Sequence, residues 1–184
     1  MEADKIKWNE RYQKSTMPEH PSDILMQYKH LLRPQTKALD IACGNGRNLK
    51  FLAQNQIHSI GIDIAENALK LIPNNPYIQI FCTDLDHYIL PFCAYDIILN
   101  FYFLNRKILS QIPDALRKNG LVFLETFIEH SSYPTDIHPN KILQNDELES
   151  YFSNFDILHH QIKPIKRNTQ GDLACVVSFV AKKS

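Results

Sequence analysis

The sequence predicts a doubly wound α/β fold with a mostly parallel, seven-stranded sheet and helices on both faces. Apolar strand-like runs alternate with helical segments over residues 37–127, which is the pattern of βαβ units. These runs are almost continuously apolar, as at residues 95–99, and this is typical of strands that are covered on both faces. Two further runs near the carboxyl end follow each other without a helix, so they predict an antiparallel hairpin that closes the sheet.

The individual elements follow from the hydrophobic period and from the residues that interrupt it. Residues 4–15 and 22–32 predict two helices, separated by the proline-containing breaker 17–21. The predicted strands are residues 37–41, 57–62, 77–82, 95–101, 120–127, 155–163 and 173–181. The predicted helices among them are residues 46–55, 66–72, 107–118 and 145–153. A polar loop at 128–144 and a polar turn that contains Gly171 complete the prediction.

Length and composition predict one globular domain over residues 1–184, with residues 1–33 as a helical amino-terminal cap within it. The chain has 184 residues, of which 44% are hydrophobic, so it is long and apolar enough to bury a full core. Its 20 Lys and Arg balance its 20 Asp and Glu, which excludes a global basic field that would attract nucleic acid. No apolar run reaches the roughly 18 residues that a membrane-spanning helix needs, so we expect no membrane partner.

The cysteine pattern indicates a reducing compartment. Cys43, Cys82, Cys93 and Cys175 are widely spaced and form no C-x-x-C pair. Three of them lie in apolar strand-like runs, where a free cysteine behaves as a small hydrophobe. We therefore expect neither a disulfide framework nor a metal site, and we expect a cytoplasmic protein.

A glycine turn after the first predicted strand indicates a ligand-binding crevice. Gly44 and Gly46 lie two residues apart between that strand and a helix, in a chain that has only five glycines. Glycine permits a positive φ and lets a ligand approach the backbone closely, and a helix that begins there offers free N–H groups. In an open α/β sheet, ligands bind at the carboxyl ends of the strands, so we expect this turn to form one wall of a site.

Acidic side chains mark the first three strand ends. Asp40 lies inside an apolar run, where a buried carboxylate is costly without partners. Asp63 follows Gly44 by about 20 residues, which is the position of an acid that accepts hydrogen bonds from ribose hydroxyls. Taken singly, Asp63 is equally consistent with a helix cap, and Asp84, after the third strand, with a turn. Together the three acids predict a nucleoside-binding site.

The glycine spacing excludes a dinucleotide fingerprint, because Leu49 stands where G-x-G-x-x-G needs its third glycine. Residues 38–48 instead resemble motif I of the class I S-adenosylmethionine (SAM) dependent methyltransferases. Residues 61–64, 83–85 and 95–99 are similar to later motifs of that family, and the resemblance extends from about Trp8 to the carboxyl end. Within the class, segments 8–12, 43–48 and 125–127 are similar to small bacterial methyltransferases of the tellurite-resistance type. Likeness of fold does not name a substrate.

The resemblance implies a Rossmann-like fold with SAM as its cofactor. It implies that the glycine turn admits the methionine part of SAM and that Asp63 holds the ribose. Asp84, Leu85 and Ile64 would then frame the adenine, and Asp40 would orient the turn or the amino group. The predicted SAM-binding residues are Asp40, Cys43, Gly44, Gly46, Asp63, Ile64, Asp84, Leu85 and Asn100.

Residues on the acceptor side are less strongly indicated. The methyl group of SAM is already activated, so a general base is needed only for an acceptor that arrives protonated. The candidates for a catalytic role are Tyr102, Arg106 and His130. Trp8 and Tyr12, one helical turn apart, predict either a lid over the pocket or a face that packs on the core. Tyr133 and His138 lie in the long loop at 128–144, which either carries substrate specificity or is ordinary surface.

We therefore expect methyl transfer to a small-molecule acceptor, with three alternatives. The first is methylation of RNA or protein, docked by the basic segment 159–167, and the second is a non-catalytic, SAM-binding regulatory module. The third, aminopropyl transfer, is disfavoured because the chain lacks a dense acidic patch. Residues 100–103 lack both prolines of the Asn-Pro-Pro-Tyr signature of amino-group methyltransferases. Cys93 precedes the fourth strand, at the wrong end for a cytosine-methylating nucleophile.

Overall fold

The structure is a computed structural model that describes residues 2–15, 17–167 and 171–184. Its strands are β1 (Lys37–Ile41), β2 (His58–Asp63), β3 (Ile78–Cys82), β4 (Tyr95–Phe101), β5 (Leu116–Ile128), β6 (Phe155–Lys166) and β7 (Leu173–Lys183). Its α-helices are α1 (Glu2–Lys14), α2 (Asp23–Gln27), α3 (Arg47–Gln54), α4 (Glu66–Leu69), α5 (Arg106–Leu109), α6 (Ile112–Ala115) and α7 (Glu147–Tyr151). Short 3-10 helices cover Lys29–Leu31 and Pro139–Lys141.

All seven strands form one sheet in the order β3-β2-β1-β4-β5-β7-β6. Strands β1 to β5 run parallel to one another, whereas β7 is antiparallel to both β5 and β6. The predicted fold class is thus confirmed, including the antiparallel hairpin. The strand order reverses between β1 and β4, and a crevice for a ligand opens at such a switch point.

The core lies on both faces of the sheet. On one face, Ile108 of α5, Ile112 of α6 and Leu148 of α7 pack into a buried cluster. On the other face, Leu25 of α2 and Leu52 of α3 do the same. Helices therefore cover both faces, as the continuously apolar strands predict.

Several predicted helices are shorter than expected. The helix expected at 107–118 is two single turns, α5 and α6, and the prediction is wrong at residues 116–118, which belong to β5. Pro113 falls in the first turn of α6 because it has no N–H to donate to a continuing helix. Residues 117–119 follow as an irregularity of β5, where Asn119 has a φ of 64°.

Two other predicted helices also end early. The helix expected at 22–32 stops at Gln27 and continues only as the 3-10 turn, and the helix expected at 66–72 stops at Leu69. Residues 83–94 cross from β3 to β4 without an α-helix, and Leu85 and Leu90 pack into the core instead. Residues 1 and 16 of the predicted cap and 168–170 of the predicted turn lie outside the described residues.

The cysteines are all free thiols, so no disulfide constrains the fold. Among the described residues, no helix combines the length and the hydropathy that crossing a membrane requires.

Candidate functional site

The glycine turn after β1 has a strained, left-handed backbone. Ala42, Gly44 and Gly46 have φ values of 55°, 56° and 68°. A Cβ at Gly44 would clash with the hydroxyl of Tyr12, and a Cβ at Gly46 would lie 2.8 Å from Cδ1 of Ile72. Both glycines are therefore required by conformation and by close contact, and α3 begins directly after them.

Asp63, at the end of β2, is hydrogen bonded to this turn. Its Oδ2 accepts the N–H of Gly44 at 2.8 Å, and its Oδ1 accepts the N–H of Ala65 at 2.8 Å. The side chain is buried, and burial raises the pKa of Asp63 while these hydrogen bonds lower it. The carboxylate thus joins the ends of β1 and β2.

Two buried polar side chains lie on the neighbouring strands β1 and β4 at the switch point of the sheet, and the register, which pairs Asp40 with Leu99, directs them to opposite faces. Asp40 of β1 and Asn100 of β4 are each 1% exposed, and Asn100 pairs in register with Ile41. Within the described part of the chain, Asp40 Oδ2 and Asn100 Oδ1 have no hydrogen-bond partner, nor has the buried Ser22 Oγ. A buried polar atom without a partner is costly, so these three atoms indicate a place for a polar ligand.

Asp40 is also electrostatically unusual. Burial raises its pKa to about 8, and the nearby Asp63 raises it further, whereas the guanidinium of Arg47 lowers it. A cationic ligand group beside Asp40 would stabilise the charged carboxylate. Perturbed carboxylates of this kind concentrate at functional sites.

The predicted adenine-side residues lie at the ends of β2 and β3. The N–H of Thr83 donates to the carbonyl of Asp63 at 3.0 Å, which brings the two strand ends together. Asp84 Oδ1 accepts the N–H of Asp86 at 2.9 Å, and this bond lowers the pKa of Asp84. Leu85 is buried in the core beside Ile62, and the carbonyl of Ile64 accepts from the thiol of Cys82 at 3.6 Å.

Cys43 presents only its backbone to the crevice. Its side chain is buried, and a Cβ at Gly61 would lie 2.8 Å from its sulfur. Burial, with Asp40 and Asp63 nearby, raises the pKa of the thiol well above its usual value. Cys43 is thus an inert packing residue under the turn.

Helix α1 lies across the carboxyl ends of the strands and is tethered at both flanks. On one flank, Asn9 Oδ1 accepts the N–H of Asn67 at 2.8 Å, and Lys5 pairs with Glu66 at 2.8 Å. On the other flank, Lys141 Nζ lies 3.5 Å from Asp4. No residue of α1 is fully buried, so the helix rests on the site without entering the core.

The aromatic residues of α1 have different surroundings. Tyr12 points its hydroxyl at the glycine turn, and burial together with Asp63 raises its pKa to about 12. The ring of Trp8 lies 6.4 Å from that of Tyr12 and carries the guanidinium of Arg11 at 5.1 Å. Tyr12 is therefore the aromatic side chain of α1 that the structure places against the turn.

Tyr102 follows β4 directly and is bound to Glu125 twice. Its N–H donates to the Glu125 carbonyl at 2.7 Å, and its hydroxyl donates to Glu125 Oε1 at 2.6 Å. Ser178 Oγ donates to Oε2 of the same carboxylate, and Lys163 Nζ lies 3.8 Å from it. Tyr102 has a left-handed φ of 57°, and burial and Glu125 raise its pKa. Tyr102 thus remains a protonated phenol at neutral pH.

Arg106 is engaged in a structural clamp. Its guanidinium contacts both carboxylate oxygens of Glu147, at 2.6 and 3.0 Å, and donates to the carbonyls of Asn140 and Ile142. These bonds hold the segment that precedes α7 against α5. The prediction that Arg106 steers an acceptor therefore finds no support in its contacts, and we retain Tyr102 as the catalytic candidate.

The predicted residues of the 128–144 loop mainly organise the loop itself. His130 stacks on Tyr133 at 5.4 Å, and its Nδ1 accepts the N–H of Ser132. Tyr133 packs against the core, and His138 Nδ1 caps the following 3-10 helix by accepting from Asn140. Among these, the structure gives His130 no contact with the glycine turn, and its catalytic role stays a prediction.

Sequence reasoning missed two groups of this site. Arg47 acts electrostatically on both Asp40 and Tyr102, and it directly follows the glycine turn, which was an available signal. Glu125 is a second acid inside an apolar strand and was as conspicuous as Asp40. Its partner Ser178 comes from the far hairpin, and only the sheet order brings it near.

Comparison with known proteins agrees with this geometry. Residues 38–120 match a family profile described as a methyltransferase domain. The matched segment covers less than half of the chain, and it contains the glycine turn and the ends of β1 to β4. Comparison with curated protein sequences gives no match.

Three solved structures illustrate the similarity. TehB from Haemophilus influenzae aligns with a TM-score of 0.72 at 18% identity, over 98% of this chain and 67% of that protein. A SAM-dependent methyltransferase from Methanosarcina mazei aligns with a TM-score of 0.66 at 16% identity, over 89% and 98% of the two chains. Phosphoethanolamine N-methyltransferase 2 from Haemonchus contortus, in complex with phosphomonomethylethanolamine and S-adenosylhomocysteine, aligns with a TM-score of 0.69 at 13% identity, over 96% and 56%.

Proposed function

We propose that this protein is a SAM-dependent methyltransferase that transfers the methyl group of SAM to a small-molecule acceptor. The observation that carries the proposal is the position of α1, which covers the glycine turn and is tethered on both flanks of the crevice. A crevice covered by a helix admits a small acceptor and excludes bulk water, whereas an extended polymer needs an open surface.

The residues of the crevice fit SAM. Gly44 and Gly46 permit the left-handed turn along which the methionine part would lie, and the unpartnered oxygen of Asp40 suits its ammonium group. In this proposal, Asp63, which bonds to the turn from the end of β2, also accepts the ribose hydroxyls. In this proposal, Asp84, Leu85 and Ile64 border the adenine.

The protein's contribution is chiefly alignment. Bound SAM supplies a methyl group that is activated by its sulfonium. The residues of this chain hold the donor in one orientation at the switch point, and Tyr12 closes the turn from above. In this proposal, Tyr102, beside the carboxyl end of β4, contacts the acceptor. Holding two reactants at near-attack distance accounts for much of the rate enhancement in such transfers.

The charges of the basic segment 159–167 support the small-molecule proposal over a nucleic-acid substrate. Lys163 faces Glu125, His160 Nδ1 lies 3.1 Å from Glu149, and Arg167 pairs with Asp136. These contacts neutralise positive charge that a nucleic-acid surface would need free. The Haemonchus contortus neighbour, whose complex contains a small phosphoamine, agrees with this class of acceptor. The four free cysteines support a reducing, cytoplasmic setting.

Labelled SAM tests the proposal. The purified protein is incubated with SAM that carries a tritiated methyl group and with separate metabolite, RNA and protein fractions of a bacterial extract. We expect the label in the metabolite fraction alone, and we expect it to be lost with Asp63→Ala. Label in RNA or protein would overturn the small-molecule acceptor. SAM binding without label in any fraction would indicate a regulatory module.

A further inference from the structure

A buried carboxylate lies next to the crevice and takes no part in the proposed binding of SAM. Glu125 lies in β5, between β4 and β7, and is 9% exposed. A buried carboxylate is retained at a cost in desolvation, and it requires hydrogen-bond partners. The structure supplies them from three other segments, and one partner, Tyr102, is 42% exposed and follows the carboxyl end of β4.

The two oxygens of Glu125 are used differently. Oε2 accepts from Ser178 and lies 3.8 Å from Lys163 Nζ. Oε1 accepts only the hydroxyl of Tyr102 within the part of the chain that the structure describes. Ser178 and Lys163 therefore hold the carboxylate in place through one oxygen, and the other oxygen is linked to one phenol.

The backbone of Tyr102 shows that this link is enforced. A tyrosine rarely adopts a left-handed φ; here φ is 57°, and the N–H of the same residue donates to the Glu125 carbonyl at 2.7 Å. Backbone strain of this kind clusters at functional sites. The main chain and the side chain of Tyr102 are thus both set by Glu125.

The position of Tyr102 connects the pair to the donor site. Tyr102 comes two residues after Asn100, whose free oxygen marks the crevice. The guanidinium of Arg47 acts on both the Tyr102 hydroxyl and Asp40. A phenol between a buried carboxylate and the reaction site can pass a proton in one step, accepting one on its lone pair while donating its own.

We propose that Glu125, acting through the hydroxyl of Tyr102, takes up the proton of the methyl acceptor, so that the acceptor is a hydroxyl or amine group. The inference rests on the proposed small-molecule function and narrows its substrate to protic nucleophiles. Tyr102 is then the catalytic residue and Glu125 its positioning residue and proton acceptor. An acceptor that is already an anion, such as a thiolate, has no use for this pair.

The proposed step conserves atoms and electrons. A lone pair of the acceptor oxygen or nitrogen forms a bond to the methyl carbon, and the carbon–sulfur bond breaks with its electron pair remaining on sulfur. The acceptor proton moves to the Tyr102 oxygen as the phenol proton moves to Glu125 Oε1. The products are the methylated acceptor, S-adenosylhomocysteine and a protonated Glu125, which returns its proton to solvent.

Charged groups from every adjoining element influence this transfer. Lys163 and His159 approach Glu125 from β6, and Arg47 and Asp23 act on Tyr102 from the starts of α3 and α2. Burial, Lys163 and His160 lower the pKa of His159, so this imidazole stays neutral above pH 6.5 and does not compete for the proton. Ser178 carries no charge and serves as a donor only.

Defined probes test the inference on the intact enzyme. Catechol and tyramine are the protic probes, and thiophenol, which is largely an anion at about pH 8, is the probe that needs no base. The variants Glu125→Gln and Tyr102→Phe remove the basic and the transferring group with little change in shape. Glu149→Gln and Tyr77→Phe are matched controls, because both lie outside this network.

We expect wild-type enzyme to methylate at least one protic probe. Glu125→Gln and Tyr102→Phe should lower its kcat by about 100-fold, which is the usual contribution of a general base. The rate with thiophenol and the controls should stay within about twofold, and KM for SAM should not change. With catechol as the acceptor, the kcat of Glu125→Gln should rise with pH more steeply than that of the wild type, as hydroxide replaces the lost base.

Two results with the variants would overturn the inference: an equal fall in kcat for the protic probes and for thiophenol, or no fall in kcat in either variant. Two results with the wild type would also overturn it: methyl transfer to thiophenol alone, or SAM binding without transfer to any protic probe. Equal losses would show that Glu125 merely fastens β4 to β5 and β7, and melting temperatures would then fall in parallel. Absence of SAM binding by the wild type would instead contradict the methyltransferase assignment, so the two failures are distinguishable.

Discussion

The hydroxyl of Tyr12 on α1 lies against the Cα of Gly44 in the turn after β1, so closely that even a methyl group on Gly44 would clash with it. This contact joins the amino-terminal helix to the turn that begins α3. The same glycine N–H is held by Asp63 from β2. Three segments that are far apart in the sequence therefore meet at the backbone of Gly44. We expect the conformation of this residue to determine whether the site can bind SAM.

Alanine substitutions at Gly44 and Gly171 should separate the effect of the Tyr12 contact from the effect of backbone strain. Gly44→Ala suffers both the positive φ and the clash with Tyr12, so we expect SAM affinity to fall by more than tenfold and α1 to become sensitive to protease. Gly171→Ala is the matched control, because Gly171 has a φ of 89° but no atom within 4 Å of the position that the alanine methyl group would take. It should cost about 1 kcal/mol of stability from strain alone. Calorimetry and limited proteolysis measure both, and equal SAM affinity in the two variants would refute the account of Tyr12.

Asp40 should make SAM binding dependent on pH. Its pKa of about 8 means that it is mostly protonated at pH 7, and the ammonium group of SAM favours the ionised form. Binding should therefore release a proton, and the affinity should rise from pH 6 to pH 8. Titrations in buffers of different ionisation enthalpy measure the proton release. Asp40→Asn should abolish it, and unchanged release in that variant would assign the proton to another group.

The same residue should lower stability as the pH rises. The pKa of Asp40 is raised above its unfolded value of about 4, so the folded state binds the proton more tightly and stability is lost as pH rises from about 4 to about 8. The loss is at most about 1.4 kcal/mol per pH unit in that window. Asp40→Asn should therefore melt higher than the wild type, and by more at pH 8 than at pH 5. A difference in melting temperature that is constant over this range would contradict the burial of a titrating Asp40.

Alanine variants of two aspartates that accept backbone N–H groups should separate an effect on SAM binding from an effect on stability. Asp63 accepts the N–H of Gly44 at the carboxyl edge of the sheet, and Asp96 accepts the N–H of Lys37 at 2.8 Å at the amino edge. Each alanine variant should lose about 1 to 3 kcal/mol of stability, because a buried donor loses its partner. Only Asp63→Ala should lose SAM binding, by about 100-fold or more. Parallel loss in Asp96→Ala would show that binding reports general stability.

Arg106 should act on stability and leave SAM affinity unchanged. Arg106→Lys loses the two-pronged contact with Glu147 and the bonds to the carbonyls of Asn140 and Ile142, so we expect a loss of about 2 kcal/mol and faster proteolysis within residues 130–147. Arg117→Lys, whose pairing with Asp96 is more exposed, is the comparison variant and should cost less. A large fall in SAM affinity for Arg106→Lys would show that Arg106 contributes to SAM binding.

Much of the fold could be predicted because the strands are covered on both faces and therefore read as apolar runs. The bounds of the helices could not be predicted, because α4, α5 and α6 are single turns whose ends depend on tertiary contacts. Leu116 pairs with Tyr95 as a strand residue, although the polar residues after it suited a helix. In such short segments, packing overrides local propensity.

The site divides in the same way. Gly44, Asp63 and Asp40 were predictable because each violates a local rule: a glycine before a helix, or an acid in an apolar run. Glu125 also violates that rule, but its partners Tyr102 and Ser178 come from other strands, and sequence spacing does not show that they meet. Arg106 looked available because its partner Glu147 lies 41 residues away along the chain.

Calorimetric titration of the wild-type chain with S-adenosylhomocysteine at pH 8 tests the central claim most directly. S-adenosylhomocysteine keeps the adenosine and the amino acid part but has no methyl group to transfer, so the measurement reports the donor site alone. We expect each chain to bind one S-adenosylhomocysteine with a Kd in the micromolar range, which is roughly 8 kcal/mol of binding free energy. Absence of heat at millimolar ligand, with the protein shown to be folded, would contradict it.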